Sequence, residues 1–483
     1  MMILSIIESV VGLTAVVLTE LQIIRLRLER FFALSFGRRR RYRVMATACW
    51  SFPIYSQTFV YQELTQLIRQ EFDVRFLYFH QDSRSQLPGR FRPLWNARRR
   101  VILHPTVCKQ ALNYFKSRYP EKIREIVDIL CKSSGLLREQ LLDHPHLWQA
   151  FSFARMVEAY RPDYLHSYFF YEGTLFSFVA SFMLGIPRGV SCYSDHLLKD
   201  YLFKMVPIHL QQCSIIVSTS ERIREELLEL APGADPARII VKPNAIDTTE
   251  FPVVTCTEPE QGQPFRLVSV NRIEPKKGLI YLTEAIHILR GRNLNAELHV
   301  IGGVDDNELS RSYCIKLNAL IEELNLADLI HLEGFKPQSE IKSIFCRSHL
   351  FVAPFVETEY GDKDGIPTSL LEAMASGLPV IATDAGSIRE VVRNGKNAMV
   401  VSQRDPVALA DAISTLIGDP VLRTRLGMNA AKEVRGQFDV SGCEHIFHGR
   451  LRQVLNSSWN QMNFRAELQS GDQPEIQRGV SRT

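Results

Sequence analysis

No Cys-x-x-Cys pair occurs in the chain, and its nine cysteines (49, 108, 131, 192, 213, 256, 314, 346 and 443) are odd in number and scattered. That spacing argues against a disulfide framework or a cysteine zinc site and suits a reducing compartment. Net charge is small, +4 from 57 basic and 53 acidic residues, so any strong positive field has to come from local clustering, and no nucleic-acid partner is indicated. No Gly-x-Gly-x-x-Gly follows the first strand of either half, which disfavours a dinucleotide dehydrogenase. There is no internal repeat, and no low-complexity tract beyond one arginine cluster. What is present, 46% hydrophobic and 23% charged residues over 483 positions, suffices for two domains with ordinary cores.

Residues 3–19 are largely apolar, but Glu8 interrupts them, and the run 9–19 is shorter than the ~20 residues of a spanning helix. On a helical wheel Ser5, Glu8, Ser9, Gly12 and Thr19 share one face, with Ile3, Ile6, Val10, Leu13 and Val17 opposite; Thr14 and Val16 fit this division poorly. Eight arginines follow (25, 27, 30, 38, 39, 40, 41 and 43) against Glu29 alone. The expectation for residues 1–41 is an amphipathic helix lying on a membrane, with a basic segment suited to anionic headgroups. The charge follows the apolar stretch, the reverse of a secretory signal, so a cytoplasmic protein peripheral on the inner face of the membrane is expected.

From residue 42 onward, short β-rich runs alternate with helical patterns, the pattern of parallel sheets built from βαβ units. Strands are predicted at 42–49, 74–79, 164–169, 189–194 and 215–219, and again at 266–273, 297–302, 329–335, 350–354, 380–384 and 398–402. The proline-bearing segment 242–263 reads as the linker. The predicted architecture is α/β, two Rossmann-like doubly wound domains facing a cleft. Residues 42–242 form the first and 264–438 the second, followed by a helix at 439–459 and a polar, disordered tail at 460–483.

In such sheets ligands bind beyond the carboxyl ends of the strands. After the strand at 266–273 come Glu274-Pro275-Lys276-Lys277-Gly278 and a helix, which places Arg272 and Lys277 where free amides and the helix dipole favour an anion such as phosphate. The segment from Gly361 to Gly377 is more specific. Glu372 sits on an otherwise apolar helix beside Leu370, Leu371, Ala373 and Met374, where a carboxylate is costly unless something such as a sugar hydroxyl bonds to it. Asp364, eight residues earlier, addresses a second part of the same ligand.

These two segments together resemble family 4 glycosyltransferases of the GT-B fold, and Gly-Asp-Lys-Asp-Gly-Ile-Pro resembles their exopolysaccharide, colanic-acid-type branch. The resemblance covers roughly 42–440 and is strongest in the second half. It implies Arg272 and Lys277 on the donor diphosphate, Glu372 on the ribose, Asp364 on the transferred sugar, and Gly365 and Ile366 approaching that sugar through their amides. It also implies that the segment Gly386 to Glu390 matches a Gly-Gly-x-x-Glu stretch, that Glu333 and Phe335 turn toward the base, and that residues 52–59 form an acceptor-side loop.

The departures concern the first acid, Asp364, one methylene shorter than the family's glutamate, and Tyr193, which stands where the family has an active-site histidine; His196 lies three residues on as a substitute. Tyr168 likewise replaces a second histidine. Asp362-x-Asp364 mimics a metal motif inside the donor-sugar segment of a fold that, by the resemblance, works without metal, so neither metal nor cofactor is expected. The resemblance implies a retaining transfer from a nucleotide-diphosphate sugar to a glycan or lipid-linked acceptor, in surface polysaccharide or glycolipid synthesis. A GT-B-fold epimerase and a silent nucleotide-sugar-binding protein remain alternatives.

Overall fold

The computed structural model describes residues 2–36, 41–47, 50–54, 57–81, 87, 89–199, 201–254 and 258–470. The first sheet contains β1 (Arg43–Thr47), β3 (Asp73–Tyr78), β5 (Arg98–Arg100), β6 (Tyr164–Tyr168), β7 (Arg188–Cys192), β8 (Ile215–Ser218) and β9 (Ile239–Val241), in the order β5-β3-β1-β6-β7-β8-β9. Two short strands, β2 (Ser51–Phe52) and β4 (His80–Gln81), pair beside it. The second sheet holds β10 (Phe265–Val270), β11 (Ala296–Ile301), β12 (Ile330–Gly334), β13 (Leu350–Ala353), β14 (Val380–Thr383) and β15 (Met399–Val401), ordered β12-β11-β10-β13-β14-β15. All pairings are parallel.

In both sheets the chain starts at a central strand, builds to one side, then crosses to the other. Order therefore reverses between β1 and β6 and between β10 and β13, and the loops splaying apart there leave a crevice. Strands such as β6, β7, β8, β13 and β14 are buried along their whole length, as sheets covered on both faces require. The eleven runs predicted from sequence all contain strands. β5 was not foreseen because it reads Arg-Arg-Arg, and β9 because only three residues pair.

The chain crosses between the domains twice, side by side: the Ile246 amide donates to the Phe438 carbonyl at 3.0 Å and the Val440 amide to the Ile246 carbonyl at 2.9 Å. The last helix, Val440–Ser470, then returns to the first domain and buries Phe447, Leu451 and Leu455 in its core. It continues past 459, so the disordered tail expected from 460 does not hold for 460–470; residues 471–483 lie outside the described residues. At this crossing the buried Lys242 ammonium lies 2.8 Å from Glu63 and 3.1 Å from Glu444, which ties the final helix to the helix Thr58–Arg69.

The N-terminal helix, Met2–Phe36, keeps the expected wheel from Val10 to Thr19, with Gly12 and Thr19 on the face that meets the protein and Val10, Leu13 and Val17 opposite. Gly12, Ala15, Thr19, Ile23 and Leu26 are buried, at three- and four-residue spacing, with Ile23 and Leu26 in the core beneath. The small and polar positions thus pack inward, because small side chains allow close approach. Val10, Leu13, Val17, Leu21, Ile24, Leu28, Phe31 and Phe32 face outward, each about half exposed or more. Glu29, the lone acid among the arginines, anchors the helix: it takes Arg75 of β3 at 2.8 Å and also Arg99 of the edge strand β5. Arg43 is not part of the basic patch, since it pairs with Asp163 at 2.8 Å. Arg38, Arg39 and Arg40 lie outside the described residues.

Candidate functional site

A cleft of about 1000 Å³ lies between the domains and is lined from both. The second domain contributes Asn271, Arg272, Lys276 and Lys277 from beyond β10, and Asp364 to Ser369 with Glu372 from beyond β13. These loops flank the crevice between β10 and β13. The first domain contributes Thr58, Phe59, Arg90, Phe169 and Tyr193.

The cations are held before any ligand arrives. Lys277 lies 2.5 Å from an Asp364 oxygen, with its ammonium 4.4 Å from the centre of the Phe355 ring. Lys276 meets Asp362 at 3.1 Å, and Arg272 is gripped by Glu274 at 2.9 Å and by Asp305. Burial alone would raise the Asp364 carboxyl, but the charges of Lys277 and Lys276 outweigh it and hold it below the ordinary range. Three cations converging at one crevice, each fixed by an acid, make a preorganised seat for a polyanion.

Glu372 lies on the helix Thr368–Ala375, whose other side chains Leu370, Leu371, Ala373 and Met374 are buried. The Gln338 amide donates to one of its oxygens at 3.2 Å. Burial pushes its carboxyl up to about 7, only partly opposed by Arg90, by the Gln338 bond and by Lys342. Its remaining acceptor capacity faces the cleft, where hydroxyl donors would satisfy it.

Of the residues singled out from sequence, Arg272, Lys277, Asp364, Gly365, Ile366, Glu372, Phe335 and Tyr193 line this cleft. Tyr193 forms part of the cleft wall. Its ring sits 4.4 Å from Phe59 and 5.3 Å from Phe169, and burial pushes its phenol well above the usual range. Four residues are placed elsewhere. His196 does not substitute for the missing histidine: it is buried behind the wall, 2.7 Å from Glu226, with its other ring nitrogen against Cys192. Glu333 turns away from the cleft. Glu333 lies two residues beyond His331, the partner of His299 across the β11–β12 pair, so it shares that face and stands 2.6 Å from His299. His299 also meets Glu297, at 3.0 Å, and Glu297 in turn takes Arg266, so the set is a charge network on the sheet edge.

Gly386 and Glu390 support the site instead of lining it. Gly386 has φ +56°, and a Cβ there would lie 2.3 Å from the Asp364 carbonyl oxygen. Only glycine lets the turn Gly386–Glu390 press against the Asp364 loop. Glu390 reaches across to the first domain, where its carboxylate accepts from the amides of Glu221 and Arg222. Sequence reasoning missed Arg90, Asn244 and Gln338. None belongs to a patterned segment, and only the fold brings them to the cleft; the Asn244 side chain donates to the Ile366 carbonyl at 2.9 Å.

Residues 257–433 match the family model described as Glycosyl transferases group 1, and residues 117–250 that described as Glycosyltransferase Family 4. The chain is 32% identical over 268 residues to the amylovoran biosynthesis glycosyltransferase AmsK of Erwinia amylovora, covering 56% of this chain and 62% of AmsK. It is 34% identical over 178 residues to WcaL of Salmonella typhimurium, which bears the provisional name of a colanic acid biosynthesis glycosyltransferase, covering 37% of this chain and 42% of WcaL. The matched regions thus span less than two thirds of these relatives. Among solved structures, the sucrose-phosphate synthase of Thermosynechococcus elongatus superposes with TM-score 0.67 at 16% identity, over 86% of this chain and 100% of that one. Anabaena Alr3699/HepE, in complex with UDP and glucose, superposes with TM-score 0.64 at 15% identity, over 85% and 99%. The shared fold is GT-B.

Proposed function

This chain belongs to the family 4 glycosyltransferases of the GT-B fold, and from that premise we propose that it transfers a sugar from a nucleotide-diphosphate sugar to a glycan or lipid-linked acceptor in surface polysaccharide synthesis. The observation that carries this reading is the convergence of Arg272, Lys276 and Lys277 in one crevice with Asp364 and Glu372 on its flank. The cations take the diphosphate, and Glu372 takes the ribose hydroxyls. Asp364 takes the hydroxyls of the transferred sugar, with the Gly365 and Ile366 amides beside it. HepE, of the same fold, holds UDP and glucose.

The transfer is retaining and metal-independent in this reading. The bond from the anomeric carbon to the diphosphate oxygen breaks, and the acceptor oxygen bonds to that carbon on the same face. The leaving phosphate takes the acceptor proton. Positive groups aimed at the leaving diphosphate stabilise the charge that develops there. No second carboxylate takes the part of a nucleophile, and Tyr193 and Phe59 form the acceptor-side wall. Incubating the protein with UDP-glucose and a glycan extract, and following release of UDP and the anomeric configuration of the product, tests the reading; an isomerised donor in place of a transfer product would indicate the epimerase.

The enzyme works on the inner face of the membrane, docked through its N-terminal helix. By length and composition the segment Glu8–Ser35 is long and apolar enough to cross a membrane, so the run 9–19 understated it. Packing favours docking over crossing. The inner face from Gly12 to Leu26 is committed to the protein body, and a spanning helix would have to give that packing up. The outer apolar face, with the exposed Arg25, Arg27 and Arg41 nearby, suits an anionic bilayer surface.

A further inference from the structure

Beside the cleft the two domains touch through a small polar contact centred on the helix Glu221–Leu230 of the first domain. That helix follows β8, so its N-terminus points past the sheet toward the second domain. Its first amides need acceptors. Ser220 caps the Ile223 amide from within, at 3.2 Å, but the amides of Glu221 and Arg222 are taken by the Glu390 carboxylate, at 2.9 and 3.1 Å. A carboxylate held by two amides at a helix N-terminus is favoured by the helix dipole as well as by its bonds.

The Arg222 guanidinium divides its donors among three partners. Nε donates to Ser387 Oγ at 3.0 Å, Nη1 to Glu226 at 2.6 Å, and Nη2 to the Asp364 carbonyl at 3.3 Å. The Asp364 carbonyl also accepts from the Ser387 amide at 3.2 Å. Lys363, next in the chain, crosses to Glu226 at 2.9 Å, and Ser220 and Ser387 share a hydroxyl bond of 2.8 Å. Gly365 lies so near the first domain that a Cβ there would stand 2.8 Å from the Tyr193 carbonyl oxygen.

We propose that Arg222 and Glu390 are positioning residues for the sugar subsite, forming an interdomain clasp that fixes the Asp364 loop when the domains are together. The proposal rests on the nucleotide-sugar reading for its ligand, but the clasp itself does not. Arg222 never touches the ligand; it holds the peptide from which the Asp364 carboxylate projects. The fixed planar donors of arginine explain why this residue type can bond to three partners at once. His196, through Glu226, belongs to the first-domain side of the same network.

Hydrogen exchange followed by mass spectrometry tests the clasp without ligand. In Glu390→Ala, peptides covering 219–224 should exchange about tenfold faster or more, because exchange follows local opening, while β11 stays unchanged. In Arg222→Ala, peptides covering 361–366 and 386–388 should do the same. Unchanged exchange at these segments would overturn the clasp. Titration with UDP and with UDP-glucose tests the positioning. Arg222→Ala should weaken UDP-glucose by about tenfold, the order of one hydrogen bond to a charged donor, and UDP by less than about twofold. Arg222→Lys, which keeps the charge but not the fork, should recover only part of this. Equal loss of both ligands in Arg222→Ala would overturn the positioning role. If the parent protein binds neither these ligands nor their guanosine, adenosine and thymidine counterparts while exchange changes as described, the clasp stands and the nucleotide-sugar reading fails.

Discussion

Lys277 and Asp364 meet at 2.5 Å on the floor of the cleft, so the cation assigned to the diphosphate and the acid assigned to the sugar are one ion pair before the donor arrives. The pair aims both groups in advance, and it makes their variants unequal. Asp364→Asn removes the sugar contact but frees Lys277 for phosphate. UDP-glucose should therefore bind more weakly, by about 1.5–3 kcal/mol as for a bond to a charged group, while UDP binds as well as before or better. Calorimetric titration of both ligands decides it, and equal losses would remove Asp364 from the sugar.

Lys277→Ala and Arg272→Ala should each cost about 2–4 kcal/mol of transition-state stabilisation, as for loss of one oxyanion donor, with melting temperature little changed. The double variant is the sharper test. Turnover within about threefold of the parent, far less than one such donor is worth, would mean that these cations do not serve the leaving group.

Glu372 makes donor binding depend on pH. Its carboxyl titrates at about 7, and hydroxyl donors favour the ionised form, so affinity should rise with pH up to about 7 and then level. Calorimetry in buffers of different ionisation heat should show proton release below that pH, and Glu372→Gln should abolish it. The same raised value acts on stability with the opposite sense. The fold holds this proton more tightly than the unfolded chain, so the contribution is full below the ordinary 4.5 and is lost as pH rises through about 7.

The N-terminal helix calls for point substitutions in place of truncation. Removing residues 1–41 would strip Ile23 and Leu26 from the core and Glu29 from Arg75 and Arg99. Leu13, Val17, Leu21 and Phe31 are exposed, and changing them together to glutamine should release the protein from phosphatidylserine-containing vesicles while its melting temperature holds. Added salt should weaken binding of the parent. Vesicle binding by the variant equal to that of the parent would exclude this face as the docking surface.

Lys242 makes the crossing between domains conditional on charge. Lys242→Met leaves Glu63 and Glu444 buried without their cation, and urea unfolding should show a loss of about 3–5 kcal/mol at neutral pH. In that variant both carboxyls are raised, so the deficit should shrink as pH falls and they protonate. Glu63→Gln with Glu444→Gln in the same background should restore much of it.

The sequence by itself determined the element order and the GT-B architecture, because alternation of short β-rich runs with helical periods leaves few topologies, and the resemblance carried by the segments 272–278 and 361–377 selects one. It also marked the second-domain half of the cleft. Arg272, Lys277, Asp364 and Glu372 lie in two loops flanking one topological switch point, and a charged residue on an apolar helix is visible in a linear pattern. Only the tertiary structure decided the other half. His196 and Tyr193 are three residues apart, yet packing puts the tyrosine in the cleft and the histidine behind it. Glu333 went to His299 and not to the cleft, because β12 carries it on the face of His331, the partner of His299. Glu390 found its partners at Glu221 and Arg222, distant in the chain and in the other domain. For the N-terminal helix the wheel separated the two faces, and only packing decided that the small one meets the body and the large apolar one stays outside. Each of these depends on which surfaces come within reach after folding, and no local pattern encodes that.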